Sequence, residues 1–304
     1  MIRAIAGRVG GTIATLLGAL ALLFALTTLV PGNPADSLLG PQATPEYAAR
    51  FVAEMGLDRP APERFGKFLV HAARGDLGTD PVSGRPVLGL VLGAVPSTMA
   101  LALAGMLAAI VIGVPAGVLA AVRPGGLLDW LVGSVSIGVM ALPNFVVAIG
   151  LLVVFSSGVK WLPVLGSGAT GLILPAAALA LGWIGYLARL ARASMLEVLG
   201  EPWLRTSVAY GVGTRRVMFR QALRPALGPL VAVLGVGTGR LLGGAVLVEV
   251  VFARAGLGKL AFDAIGSRNY PVLQGAVLAI VFFYAVANLA ADLLLVSLDP
   301  RLRA

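Results

Sequence analysis

Six separate stretches of this chain are long and apolar enough to cross a bilayer as α-helix, a task that takes about 20 residues. They run Val9–Val30, Thr98–Val122, Trp130–Phe155, Leu172–Leu190, Leu227–Phe252 and Val272–Val296. In lipid every backbone N–H and C=O must be bonded inside the protein, so isolated apolar spans of this length are helices. The expected class is therefore an all-α, polytopic membrane protein with six transmembrane helices. Only 12% of the 304 residues are charged, against about 25% in a soluble domain, and the mean hydropathy is +0.94. The 40 glycines fit the same class, because small residues let membrane helices approach closely. Pro115, Pro143 and Pro175 fall inside the second, third and fourth spans and predict kinks or local breaks there. There is no cysteine, so disulfides and thiolate metal sites are excluded.

The net charge of +9 is read by position rather than as a sign of nucleic acid, because Lys and Arg concentrate in cytoplasmic loops. With the N-terminus inside, the segments 1–8, 123–129, 191–226 and 297–304 are inside too. Counting Arg189 at the membrane edge, they hold twelve Lys/Arg against Asp129, Glu197, Glu201 and Asp299. The external 31–97 stretch holds six basic and seven acidic residues. Arg254, Lys259 and Arg268, in the last external loop, vote the other way. The first span follows Arg3 and Arg8 as a signal peptide would, but its apolar run exceeds the usual h-region, so it is expected to be a retained helix.

The external segment carries "TPEYAARFVAEMGL" and "APERFGKFLVHAARGDLG", both with helical spacing of apolar residues. It is expected to form a small helical cap. His71, the single histidine, is expected there as a partly buried side chain, with a metal ligand as the alternative.

Catalytic motifs are missing: no phosphate-binding loop, no H-E-x-x-H, no G-x-S-x-G. "GVGTG" at 235–239 lies inside an apolar span, where Gly235, Gly239 and Gly243 repeat every four residues, as in a helix-packing face. The exception to the apolar character is "LEVLGEPWLRTSVAYGVGTRRVMFRQALRPALGPL", Leu196–Leu230, with Arg205, Arg215, Arg216, Arg220 and Arg224 around Gly211 and Gly213. Two short helices joined at the glycines would display arginines and apolar side chains together. Either this lies on anionic lipid or it docks a cytoplasmic partner. Glycine favours docking, since a lipid-bound helix needs no residue with positive φ.

Several stretches give the chain a family resemblance. "GDLGTDPVSGRPV" at 75–87, "ALPNFVVAIGLLVVFS" with "WLPVLG", "ILPAAALALGWIGYLARLARASMLEVL", "LVEVVFARAGLGKLAFDAI", "RNYPVLQG" and the terminal "LDPRLR" resemble the membrane subunit of bacterial ABC importers of the dipeptide, oligopeptide and nickel class. The resemblance runs nearly end to end. It implies the type I importer permease fold, with an N-terminal transmembrane helix at 1–30 and an external helical segment at 31–94 between helices 1 and 2. A permease core with five transmembrane helices follows at 95–296, containing an ATPase-coupling loop at about 196–226, and a cytoplasmic tail closes the chain at 297–304.

The family's coupling loop reads E-A-A, three residues, Gly, nine residues, I-x-L-P, and its peptide-type version R-T-A-R-A-K-G. Arg205, Thr206, Ala209 and Gly211 match the latter, whereas Ser207, Val208 and Tyr210 depart from it. By resemblance, Arg205, Thr206, Ser207, Ala209, Gly211, Gly213, Arg216 and Arg220 are the coupling residues. The implied machine has a second homologous permease subunit, two cytoplasmic ATPases that bind ATP and Mg, and an external substrate-binding protein. By the same resemblance, this chain itself is expected to bind no cofactor or metal and to be no enzyme. It is expected to be multi-pass in the bacterial inner (plasma) membrane, with both termini cytoplasmic, and to contact lipid rather than nucleic acid. The implied cargo is peptide, with nickel or a metal chelate as the alternative. A secondary transporter working without ATPase is the remote one.

Three residues inside the spans stand out. Arg240, near mid-membrane, either lines the pathway and attracts an anionic substrate group or makes an ion pair at the subunit seam. Glu249 lies nine residues on, half a turn round the helix, and is a candidate to pair with the partner subunit. Asn144 follows Pro143, where a broken helix would open onto the cavity.

Overall fold

The computed structural model describes residues 2–29, 44, 46, 52–53, 58–158 and 170–298, and over these the chain is almost wholly helical. Four long helices carry four of the expected spans: α1 (Ile2–Leu29), α3 (Val87–Val122), α6 (Thr170–Leu199) and α11 (Tyr270–Leu298). The helix α2 (Ala61–Ala73) realises the second external helical pattern. Most of the first pattern, and "WLPVLG", lie outside the described residues.

The third span is broken. Helices α4 (Leu127–Ala141) and α5 (Asn144–Ser156) meet at 99°. Leu142 is extended (φ −81°, ψ 129°), the conformation that the ring of Pro143 favours for the residue before it over the helical one. At Pro115 and Pro175 there is no local break: α3 and α6 run on as helix. Membrane helices tolerate proline where neighbours and local adjustment satisfy the freed carbonyl.

Two compact units divide the chain, residues 1–98 with 254–286 and residues 99–253 with 287–304. In the first, α1 and α2 pack through Phe24 and Phe65, ring centroids 5.4 Å apart, with the Arg64 guanidinium 5.4 Å above the Phe24 ring. A second apolar cluster joins Val87, Val91 and Ala94 of α3, Leu257 and Ala261 of α10 (Leu257–Gly266), and Val272 and Ala276 of α11. Gly275 lets α11 approach, since a Cβ there would lie 2.6 Å from Val87 Cγ1. The Thr98 hydroxyl accepts the Leu257 N–H at 2.8 Å and so satisfies an otherwise orphan donor at the start of α10.

A buried polar latch completes this unit. Asp80, only 7% exposed, sits in the turn before α3. Its Oδ1 accepts from Asn269 Nδ2 at 2.6 Å and Val82 N–H at 2.9 Å, and its Oδ2 accepts from the Ser83 hydroxyl and N–H. Two stretches that carry the family resemblance, 75–87 and 268–275, thus meet at one carboxylate. Burial pushes the Asp80 carboxyl up, but the hydrogen bonds from Ser83, Val82 and Asn269 outweigh it, leaving the group below its ordinary range. His71 is exposed, not partly buried, with Nδ1 3.0 Å from Asp76 Oδ2. It stands on the open side of α2, which buries none of its residues.

The second unit is built around α6. Small residues of α3 recur every four positions, Gly105, Ala109, Gly113 and Gly117. A Cβ on Gly113 would lie 2.7 Å from the Ile184 carbonyl oxygen, and one on Gly117 would lie 2.1 Å from that of Ala188. A Cβ on Gly105 would lie 3.1 Å from the Leu179 side chain rather than against backbone. The two numberings rise together, so α3 and α6 are parallel. Along another side of α6 the order reverses: Arg192 binds Asp129, Gly185 touches Ser136, and Gly182 faces Asn144. Helices α4 and α5 therefore run antiparallel to α6, one after the other. Helix α9 (Gly228–Val251) is antiparallel too, with Leu230 clustered with Ala191, Gly237 under Trp183 and Gly244 against Leu179.

Replacing Asp80 by Asn keeps the shape but removes the ionised acceptor, and should cost about 1–3 kcal/mol. Because the folded carboxyl is depressed, its contribution is complete above the unfolded value, about 3.9, and is lost as pH falls through the folded one. Thermal midpoints in detergent should show a wild-type advantage at pH 7 that shrinks below pH 4. At the α3–α6 contact, Gly117→Ala should lower the midpoint by an overpacking cost of about 1–3 kcal/mol. Gly133→Ala should not, because nothing lies within 4 Å of its Cβ position.

Candidate functional site

The arginine-rich gap folds as two short helical pieces with a glycine turn. Helix α7 (Pro202–Ala209) starts with proline, whose missing N–H costs nothing in the first turn. It ends in a Schellman cap: Val212 N–H donates to the Ser207 carbonyl at 3.2 Å and Gly211 N–H to that of Val208 at 2.9 Å. That cap places Gly211 at φ +81°, a conformation costly for residues with a Cβ. Gly213 is different, with no positive φ. Its carbonyl accepts the N–H groups of Arg216 and Val217 and so opens the next turn. A single turn, Thr214–Arg216, leads into α8 (Val217–Ala226), whose first part is wound wide as a π-type turn. A 42° bend joins α8 to α9.

One side of this assembly is buried and the other is not. Leu204 of α7 and Val217, Ala222 and Ala226 of α8 form a cluster with Met195 of α6 and Ala121 of α3. Arg205, Arg215, Arg216, Arg220 and Arg224 are all exposed. Trp203, Phe219 and Tyr210 are exposed beside them, Tyr210 to 85%. Aromatics and arginine dominate the energetics of protein–protein contacts. The Thr206 and Ser207 hydroxyls instead bond back to the carbonyls of Pro202 and Trp203, and Ala209 is exposed. Behind this face, Asp129 accepts from both Nε and Nη2 of Arg192 and from the Gly125 N–H, tying the start of α4 to α6.

The span residues separate into three environments. Glu249 is fully buried and engaged within the chain. Half a helical turn from Arg240, it faces the core, so it is not presented to a partner subunit as expected. Asn144 opens α5 immediately after the break and is half-buried. Its amide lies against α9, with Nδ2 2.6 Å from the Cβ position of Gly244. Arg240 is exposed, midway along α9 and about 18 Å of helix from its start. Among the described residues it has no hydrogen bond or ion pair. At such a depth in hydrocarbon an arginine would cost at least about 2.5–3.5 kcal/mol, which argues against lipid on its face of α9.

Of the glycine stripe expected on α9, Gly235 lies outside the residues whose surroundings are described. Gly239 is buried, but Gly243 is exposed, with nothing within 4 Å of its Cβ position. The close approaches are at Gly237, whose Cβ position lies 2.5 Å from the Trp183 ring, and at Gly244. These two are seven residues apart, so they lie on one face of the helix. Trp183 stacks edge-on against Tyr186 with centroids 5.5 Å apart. Sequence reasoning passed over Gly237, Gly244 and Trp183, and the seven-residue spacing was the available signal. A further cavity of about 610 Å³, between α3, α5 and α6, is lined only by apolar side chains such as Ile112, Phe155 and Ile184. It offers nothing to orient a polar solute.

Comparison with known proteins agrees over the whole length. Residues 113–304 match the family of binding-protein-dependent transport system inner membrane components, and residues 1–102 match the N-terminal region of such membrane components. A probable peptide ABC transporter permease of Sinorhizobium fredii is 36% identical, with 97% of each chain covered. A dipeptide transport system permease of Alkalihalophilus pseudofirmus is 33% identical over 96% of each. A glutathione transport system permease of Salmonella paratyphi A is 34% identical, over 100% of this chain and 99% of its own. Among solved structures, an inward-facing MetNI methionine ABC transporter chain superposes with a TM-score of 0.59 at 22% identity. It covers 70% of this chain and 97% of its own, and shares the fold. On the strength of the full-length relatives and the matched segments, this chain belongs to the family of inner membrane components of binding-protein-dependent transport systems.

Proposed function

We propose that the chain is half of the translocation pathway of an ATP-driven peptide importer in the bacterial inner membrane. The carrying observation is the exposed arginine and aromatic face of α7–α8, anchored on α3 and α6 and continuous with α9. A permease subunit hydrolyses no ATP itself, so movement must be delivered to it. This face fits two cytoplasmic ATPase subunits that bind ATP and Mg, with a second homologous permease and an external substrate-binding protein completing the machine. Arg205, Arg216 and Arg220 would make ionic contacts, and Gly211 would hold the angle between the two helical pieces. The peptide, dipeptide and glutathione permeases among the relatives favour peptide cargo over nickel.

The helix directions support six crossings. Because α3 and α6 are parallel, the chain between them must return across the membrane. The α4–α5 pair follows α6 antiparallel from Asp129 beside Arg192 to Phe155, clustered with Leu172. That is the path of one broken span rather than of a re-entrant loop. With the arginine face inside, both termini are cytoplasmic, 31–94 is an external segment, 95–296 is the five-helix core and 297–304 is a cytoplasmic tail.

Co-expression with the ATPases should yield a complex that the triple variant R215E, R216E and R220E fails to form while still folding in detergent. Retention of the ATPase by that variant would overturn the docking role. Gly211→Ala should strain the Schellman cap by about 1–2 kcal/mol and lower uptake per ATP hydrolysed, whereas Gly213→Ala should change neither. For cargo, binding protein loaded with dipeptide should stimulate ATP hydrolysis by the reconstituted complex, and binding protein offered nickel should not. Uptake that persists without any ATPase would revive the secondary transporter.

A further inference from the structure

The environment of Arg240 is more specific than a lone mid-membrane charge. Its neighbours on α9 one turn to either side are Gly237 and Gly244, three residues before and four after, on the same side of the helix. Each glycine is filled from across the interface, Gly237 by the Trp183 ring and Gly244 by the Asn144 amide. Arg240 therefore leaves α9 between the positions where the Trp183 ring and the Asn144 carboxamide approach the helix. Asn144 is the first residue of α5, immediately after the 99° break at Pro143. Among the described residues neither the Arg240 guanidinium nor the Asn144 amide has a hydrogen-bond partner. Along the Arg240 face of α9 follow the exposed Gly243 and Leu247. No acid shares that face: Glu249 is buried on the opposite side.

We infer that Arg240 and the Asn144 amide form a subsite of the translocation pathway that receives the terminal carboxylate of the peptide in transit. The guanidinium offers two parallel N–H donors to a planar carboxylate, and the Asn144 amide adds a neutral N–H donor one turn away. A single cation with one carboxamide suits a monoanion better than a phosphate, for which several cations normally converge. Cargo reaches this level only after leaving the binding protein, so the subsite acts on passage and not on delivery. The inference rests on the peptide reading proposed above.

The test uses the whole complex in proteoliposomes with saturating dipeptide-loaded binding protein and the variants R240K, R240Q and R240E. Gln and Glu are nearly isosteric, so the difference between them isolates charge. Uptake should fall in the order wild type, Lys, Gln, Glu, with R240K keeping at least about half the rate. R240Q should lose about tenfold and R240E should lose more, while co-purification of the partner subunits and stimulated ATP hydrolysis stay at the wild-type level. Asn144→Ala should lower uptake severalfold, again without loss of ATP hydrolysis. Equal rates for R240Q and R240E, or an R240E that outpaces R240Q, would overturn the anion subsite. Loss of assembly in R240Q with recovery in R240K would overturn it in favour of an ion pair between subunits. A wild-type complex that carries no peptide would instead remove the peptide reading, and the inference with it.

Discussion

The second unit depends on how closely α3 can lie against α6. At Gly113 and Gly117 the approach is between backbones, with no room for a methyl group beneath the Ile184 and Ala188 carbonyls. In lipid, where apolar side chains gain nothing by leaving their solvent, such close contact is the main attractive force between helices. It makes α6 a spine. With α3 fixed parallel on one side, α4–α5 and α9 take the remaining sides antiparallel, and the Asp129–Arg192 pair fixes their register at one end. Substituting bulk at the glycines would displace everything that α6 carries.

From that spine a mechanical path follows to the mid-membrane arginine. Helix α7 is held by Leu204, α8 by Val217 and Ala222, and both rest on Met195 at the end of α6. The turn between them is set by a hydrogen-bonded cap, not left to a flexible linker. Beyond the 42° bend, α9 is one helix from Gly228 past Arg240 to Val251. A push on the arginine face therefore reaches Arg240 through bonded backbone, with Trp183 and Asn144 as the contacts against which α9 would slide.

Lipid made the spans legible, because an uninterrupted apolar run has few ways to satisfy its backbone. It left their ends illegible. Helix α3 begins at Val87 and α6 continues to Leu199, since leaving hydrocarbon does not end a helix and arginine is a good helix former. Pro143 was readable as a break, yet Pro115 and Pro175 look the same in sequence and break nothing. The difference lies in what packs around each. The arginine gap and Gly211 were legible from charge and turn chemistry. Of the four-residue stripe, Gly239 is buried but Gly243 is open, and the close approaches at Gly237 and Gly244 follow a seven-residue spacing that the familiar pattern does not flag. On α3 the four-residue repeat was genuine but hidden by an alanine at 109. Glu249 looked like a seam residue because sequence places it round the helix from Arg240 but does not say which side is the core.

Nothing local foretold that Asp80 and Asn269 meet, because the two are 189 residues apart. That separation has a consequence in time. At about 5–20 residues per second of synthesis, Asp80 emerges on the order of ten to forty seconds before its partner exists. Through that interval the segment before α3 must hold an ionised carboxylate without its buried amide, while α6 and its neighbours can already assemble. The segment before α3 is thus made early and closed late, with its carboxylate left without its amide partner until the final helix pair arrives.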